Sequence, residues 1–510
     1  MKMIQTLYHQ VSVLCGVLLT STVVFTACDM DRMPYSEVVP DSYVKGSESV
    51  NTLVLGCYND LQNVMHYEWA VTELRSDNAR MYGNNSTSNT TKLVEQLDQN
   101  TIGTEHEWVT DYWNACYSTI ARINTMLTST SSVNDVQTRQ QYEAEGLFLR
   151  SLTYFNLVRL WGPVFIVTSK VSPEAARNMQ RSSVDEVYAL IEGDLERIIT
   201  ENMLPENRSD KDLGRADLVA VKALLAKVYA TRYPVGHAKY AKALQLCDNV
   251  LKSTRIGNPQ TAADLVPYNK VFSIDNEMNK EIIFAVRYLS GNVGLGSPFG
   301  NMFAPINNGA NVIIGTSNNY NTPSDNLIAA YVNEGDAVRL NVNIAQSYVN
   351  QTTGAIVAAT YCPKYTNPVT VQFDGESDWP VLRVGDIALL YAELSNELNG
   401  PNATALQYLN MIRQRAGLAA YTLTTLNNTY AFREAVRNGR RLELAFENQR
   451  WFDLLRWDCA MTTINKYLAT ESFYAGYSYT VNPIAQWQVM LPVPISVFNI
   501  NPDVSQNTGY

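Results

Sequence analysis

Residues 437–457 read Arg-Asn-Gly-Arg-Arg-Leu-Glu-Leu-Ala-Phe-Glu-Asn-Gln-Arg-Trp-Phe-Asp-Leu-Leu-Arg-Trp, the richest cluster of charge and tryptophan in the chain. Arg440–Glu443, Glu447–Arg450, Arg450–Asp453 and Asp453–Arg456 are spaced i,i+3, which on a helix sets opposite charges within reach of one another. Leu442, Phe446, Trp451, Phe452, Leu454 and Leu455 add a wide apolar face. A chain that carries this stretch must supply both a large core for the face and partners for the charge. The pattern predicts one amphipathic helix with a charge ladder, and ladders of this kind serve structure more often than catalysis.

The rest of the chain has room for such a core. It is 510 residues long, with 46% hydrophobic and 17% charged residues, which suits a globular protein with an uncharged polar surface. Apolar residues recur at helical spacing over 47–66, 105–128 and 138–161, the last carrying Ala144, Phe148, Leu152, Phe155 and Val158 on one face before Gly162-Pro163 stops it. Residues 182–203 begin Ser-Ser-Val-Asp-Glu, a start suited to capping. Residues 216–233 and 238–253 form a helical hairpin across Pro234-Val-Gly236. Residues 384–398 and 402–416 repeat it across Asn399-Gly-Pro401, with Asn402 placed as a cap. Small residues such as Ala241, Ala243 and Ala388 fall where paired helices touch, so the pairs look like degenerate tetratricopeptide units.

Between Lys252 and Arg383 helical periodicity fades, Asn, Gly, Thr, Pro and Tyr accumulate, and a short β-prone run, Ile282–Val286, appears. Loop regions of this length in a compact protein are usually functional; residues 76–103 form a smaller one. At the other end, Lys2 precedes an uncharged run from Val11 to Ala27, too short and too close to the terminus for a membrane span, and Thr26-Ala27 stands directly before Cys28. That is the layout of a signal peptide whose removal exposes a cysteine. The polar, Pro-containing segment to about Ser42 reads as a tether.

Few residues carry a recognisable chemistry. With a net charge of −10 the chain is unsuited to a phosphate backbone, so nucleic acid is excluded as a partner. The cysteines beyond Cys28, at 57, 116, 247, 362 and 459, form no CxxC pair and read as small buried hydrophobes. His106-Glu107 begins like a zinc-protease motif, but Thr110 stands where the second histidine belongs. Gly291-Asn-Val-Gly-Leu-Gly296 has the wrong glycine order for a dinucleotide fingerprint. Asp374-Gly-Glu376-Ser-Asp378 is the densest acidic loop; it lacks a calcium-loop pattern and reads as a solvated turn. No catalytic residue, metal ligand or cofactor is predicted. Tyrosine outnumbers phenylalanine 30 to 14, and its ring with a hydrogen-bonding tip suits wet binding surfaces.

The pattern RR-x-E-L-A-F-E-x-x-R-W-x-D-L-x-R-W at 440–457 resembles the C-terminal signature of the SusD/RagB family of outer-membrane nutrient-binding lipoproteins. The run Ala144-Glu-Gly-Leu-Phe-Leu-Arg150 with Trp161-Gly-Pro163 is similar to a second family stretch. Leu491-Pro-Val-Pro-Ile to Gln506-Asn-Thr-Gly-Tyr510 is similar to the family's close, with Thr508 in place of proline. The leader resembles a bacterial lipoprotein signal, with Phe25 where leucine is usual, and Asp29 and Asp31 resemble an export tag for the outer surface.

The resemblance implies a mainly α fold, a tetratricopeptide-like scaffold of helical pairs with long loop-rich insertions and short β segments. Residues 1–27 would be the signal peptide, 28–42 the tether and 43–510 one domain, its scaffold at 43–253 and 384–510 and its ligand-facing loops at 254–383. It implies a non-enzymatic, lipid-anchored protein on the exterior of the outer membrane, modified at Cys28. Such a protein captures an oligosaccharide for a SusC-like TonB-dependent transporter. A peptide-binding member of the same family and a glycoside hydrolase are the alternatives.

By comparable chain position, the implied ligand residues lie in two loops: Asp77, Arg80, Tyr82 and Asn84 in one, Phe303, Asn319 and Tyr320 in the other. Arg440, Glu443, Glu447, Arg450, Asp453 and Arg456 are the implied structural signature.

Overall fold

The computed structural model describes residues 46–81, 88–471 and 483–510. The signal and tether assignments, Cys28, Tyr82 and Asn84 therefore lie outside the described residues. Among the described ones the fold is mainly α. The helices used below are α1 (Gly46–Val71), α2 (Asn89–Asp98), α3 (Glu107–Ser129), α4 (Val136–Trp161), α5 (Val184–Thr200), α6 (Leu218–Arg232) and α7 (Ala238–Leu251), then α8 (Val384–Asn399), α9 (Ala403–Arg415), α10 (Thr429–Glu443), α11 (Arg450–Arg456) and α12 (Ala460–Thr470), and the loop-rich region before α8 holds a further ten-residue helix, Asp325–Glu334.

Local chemistry sets several boundaries where the sequence placed them. Ser183 and Glu186 form a reciprocal capping box at the start of α5, and Asn402 accepts from the Ala405 N–H at the start of α9. Gly162, at φ 72°, ends α4 in a conformation that costs a residue with a Cβ far more. His106 caps α3: its Nδ1 accepts from the Val109 N–H and its Nε2 lies 3.0 Å from the Leu93 carbonyl.

The helices pack in series, α1 on α3, α3 on α4, α4 on α5, α5 on α6, α6 on α7, α7 on α8 and α8 on both α9 and α10. This is the stacked hairpin arrangement that short loops between antiparallel helices produce. Helices in the middle of the stack are covered on all sides. Along α4 every residue from Ala144 to Val158 is buried, and in α6 eleven side chains are. Ala243 and Ala388 are buried at helix contacts, whereas Ala241 faces solvent on the outer side of α7.

Among the described residues the strands are short and form three antiparallel pairs: β1 (Ala79–Arg80) with β3 (Thr322–Pro323), β2 (Ile282–Val286) with β6 (Trp379–Arg383), and β4 (Ala345–Val349) with β5 (Ile356–Tyr361). Gly46–Tyr510 form one compact unit. Cys57, Cys116, Cys247 and Cys362 are buried free thiols and Cys459 is half-buried and free. No described helix is long and apolar enough to cross a membrane.

The 437–457 stretch departs from the single helix that its periodicity predicts. It breaks after Glu443, runs through a turn with Phe446 at φ 64° and Asn448 at φ 60°, and resumes as α11. The break redirects the ladder. Of the four i,i+3 pairs, Asp453–Arg456 forms, at 2.9 Å. Arg440 instead binds Asp453 and Asp386, both at 2.8 Å. Glu443 takes Arg383 at 2.6 Å, Arg339 at 3.1 Å and also Arg415. Glu447 takes Arg383 at 2.5 Å and Lys364 at 2.6 Å, and Arg450 reaches Asp77 at 2.7 Å.

These groups lie in the core, where an unpaired charge is very costly and a paired one is tolerable. Burial alone would raise the Glu443 carboxyl, but Arg415, Arg383 and Arg339 together bring it down to about 2. The turn lets Leu444, Ala445 and Phe446, all buried, enter the core while both glutamates face one set of cations.

Candidate functional site

The two loops that the sequence singled out do meet. Residues 76–81 and 319–325 are joined by the β1–β3 pair, with Ala79 opposite Pro323 and Arg80 opposite Thr322. Ser324 fastens the junction, its N–H donating to the Asn78 carbonyl at 3.0 Å and its hydroxyl to the Asp77 carbonyl at 2.8 Å.

The described side chains named for ligand contact, however, turn inward. Asp77, 3% exposed, is gripped by Arg450 at 2.7 Å and Arg441 at 3.1 Å. Burial pushes its carboxyl up, and the two guanidiniums outweigh that and hold it well below the usual range. Arg80 pairs with Asp325 at 3.4 Å and Glu471 at 3.6 Å. Phe303 is fully buried, Asn319 is buried at φ 52°, and Tyr320 is 4% exposed. In the structure these residues fasten the loops to the core. The physical reason is the β1–β3 junction itself, whose four residues are all buried.

What reaches the surface beside this junction is a continuous column of aromatic rings. Fully buried Trp69 stacks on Tyr320 at 5.9 Å and 20°, and meets Phe303 edge-on at 5.2 Å. Trp108, at the start of α3, meets Trp69 at 5.9 Å, Tyr320 at 6.2 Å and Tyr67 at 5.7 Å, each edge-to-face. His66 packs edge-on against Tyr67 at 4.7 Å. Edge-to-face packing of this kind holds each ring in a fixed orientation.

The outer end, His66 and Tyr67, is half-buried, so these two residues are partly open to solvent on a preformed base. The Asp111 carboxylate lies near the Tyr67 hydroxyl. Burial, then the Asp111 and Glu107 carboxylates, push that phenol up to about 12, so it stays a neutral donor at any physiological pH. Burial pushes His66 below its usual value, leaving it neutral as well. A rigid platform of neutral rings with a hydroxyl and an imidazole at its rim suits a ligand with apolar C–H faces and hydroxyl edges. Trp108 lies in the 105–128 stretch, whose periodicity predicts only a helix, and Tyr67 and His66 carry no sequence signal of their own.

The acidic loop 374–378 is not a solvated turn. Alternate residues along its extended chain point one way and clamp the facing loop. Asp374 accepts from the Gly291 and Asn292 N–H groups at 2.8 and 2.7 Å, Glu376 from Ser290 at 3.1 Å, and Asp378 from Tyr288 at 2.9 Å. Gly296 allows the approach, since a Cβ there would lie 2.5 Å from the Asp374 Cα. Among the described residues no three His, Cys, Asp or Glu side chains are gathered in a way that could hold a metal ion. Clefts lie elsewhere, one of about 460 Å³ lined by Val158, Tyr188, Phe452 and Met461, and one of about 340 Å³ between α1 and residues 286–295.

Comparison with known proteins follows this geometry. Residues 309–510 match the profile of the SusD family, and residues 30–230 match a family described as starch-binding associating with outer membrane. A SusD-like protein, P25, of Formosa agariphila is 26% identical, with 94% of this chain and 96% of that protein covered. A SusD homolog from Bacteroides thetaiotaomicron superposes with a TM-score of 0.76 at 22% identity, covering 92% of this chain and 98% of the other. Surface glycan-binding protein A of the same organism, solved with laminarihexaose, gives 0.73 at 20% identity, covering 91% and 100%.

Proposed function

Because the chain belongs to the SusD/RagB family, we propose that it is a surface lipoprotein that binds a glycan on the Tyr67–Trp108 column and passes it to a SusC-like TonB-dependent transporter. The observation that carries the reading is the aromatic column itself, which rises from the core at Trp69 to the half-buried rings of Tyr67 and His66. A platform already held rigid costs little ordering when ligand arrives. The relative solved with laminarihexaose supports a saccharide as the ligand class. Tyr82 and Asn84 remain proposed contacts.

The role is binding rather than catalysis. The signature acids Glu443, Glu447 and Asp453 are all engaged by buried cations, which suits them to holding the scaffold. Attachment to the outer membrane follows from the leader and Cys28; several acyl chains on one cysteine give stable anchoring where one chain does not.

Two measurements test the proposal. The mature chain should be retarded in gels containing neutral polysaccharides and should release no reducing ends from them. In the native host, Cys28→Ala should move the protein out of the outer-membrane fraction; retention of that variant in the membrane would remove the lipid anchor from the account.

A further inference from the structure

The surface around the aromatic column is unusual in its charge. From Leu289 to Ser324 the chain carries no Asp, Glu, Lys, Arg or His, and from Leu340 to Pro363 it again carries none. The structure folds both stretches toward the same place. The first packs on the column: the Tyr320 N–H donates to the Met302 carbonyl at 2.8 Å and the Asn319 N–H to Ala304 at 2.9 Å, while the Tyr320 ring meets Trp69 and Trp108. The second forms the β4–β5 hairpin, whose turn is tied to the first by the Gln351 N–H donating to the Asn311 side chain at 2.7 Å.

The carboxylates that border the column flank Trp108 on α3: exposed Glu107, and Asp111 near the Tyr67 hydroxyl. The cations near it have other work. Arg80 pairs with Asp325 and Glu471, Arg441 and Arg450 hold Asp77, and Arg75 donates to the Gln488 carbonyl and stacks on Trp451 at 4.2 Å. On α2, Lys92 is exposed, next to Thr91, with Glu95 near it on the same helix.

Anionic polysaccharides are held by guanidinium or ammonium groups aimed at their carboxylates or sulfates. Asparagine, threonine and serine, about a third of the two uncharged stretches, instead match hydroxyls as both donors and acceptors. Resting on the glycan reading above, we propose that the ligand is an uncharged glycan and that Glu107 and Asp111 exclude uronate- or sulfate-bearing chains by like-charge repulsion. Specificity of this kind comes from what the site repels as well as from what it attracts.

The test compares laminarin and amylopectin with polygalacturonate and carrageenan, binding each to the mature protein at low and at physiological salt. Neutral polymers should bind at both salt concentrations, and the anionic ones at least about tenfold more weakly, most of all at low salt. The near-isosteric double variant Glu107→Gln/Asp111→Asn should improve binding of an anionic polymer by about tenfold at low salt and less at high salt. If the native protein binds polygalacturonate or carrageenan as tightly as any neutral polymer, and Tyr67→Ala abolishes that binding, the site stands and the charge inference is overturned. If Tyr67→Ala leaves binding of every polymer unchanged, the column is not the site and the inference falls with it.

Discussion

At the scale of single residues, the chain shows how one chemical type takes opposite roles according to what surrounds it. Glu447 and Glu73 are both buried glutamates near the break after α10. Glu447 answers Arg383 and Lys364. Removing it strands Lys364, whose carboxylate partner it is, and a broken buried pair costs roughly 3–5 kcal/mol. Glu447→Ala should lower the unfolding free energy by that amount in denaturant titration, while the fraction still folded binds glycan with unchanged affinity.

Glu73 accepts from Asn78 at 3.0 Å and from the Phe446 N–H at 2.8 Å, yet burial pushes its carboxyl up to about 7. Its folded value lies above the unfolded one. Its contribution is therefore present below about pH 4.5 and lost as pH rises toward 7. Glu73→Gln should gain stability relative to the native chain between pH 5 and pH 8, by at most about 3 kcal/mol. A constant difference across that range would contradict this. For Glu443, lowered to about 2, the sign reverses. Its contribution is full above about pH 4.5 and is lost as pH falls toward 2, so the native chain should be markedly acid-labile.

At the scale of elements, what was legible in the sequence was what local chemistry decides. The capping box of Ser183 and Glu186, the Asn402 cap and the Gly162-Pro163 stop each act within a turn of chain, so their spacing alone locates a helix end. Ser183→Ala should cost about 1 kcal/mol by thermal unfolding, the usual worth of a cap. The break after Glu443 was not legible, because the i,i+3 spacing is equally good on a continuous helix. Only the cations on other elements, Arg383, Arg339, Arg415 and Lys364, make the turn favourable. The acidic loop was misread for a similar reason. Its carboxylates are satisfied by main-chain N–H groups of residues 288–292, which no side-chain pattern announces.

The candidate site failed to show for a third reason. Tyr67, His66 and Trp108 sit on helices whose periodicity reads as core, and only the packing of α1 against α3 reveals that this stripe reaches the surface. The junction of β1 and β3 did the opposite to the named loop residues, drawing Asp77, Arg80 and Tyr320 inward.

At the scale of the whole molecule, the helical stack and the uncharged loops divide the labour. The stack carries the charge and keeps it inside, as Arg440, Glu443, Glu447 and Asp453 do at 5% exposure or less. The loops carry amides and hydroxyls, and an aromatic column connects the two. The stretch at 437–457 is thus the keystone that holds the loops in place through Asp77 and its partners, while ligand contact belongs to the far end of the column. The most direct test is the affinity of the His66→Ala/Tyr67→Ala double variant for a neutral glycan that retards the native mature chain, measured alongside its melting temperature. Loss of retardation with melting within a few degrees of native is the predicted result; undiminished retardation by a normally folded variant would contradict the account.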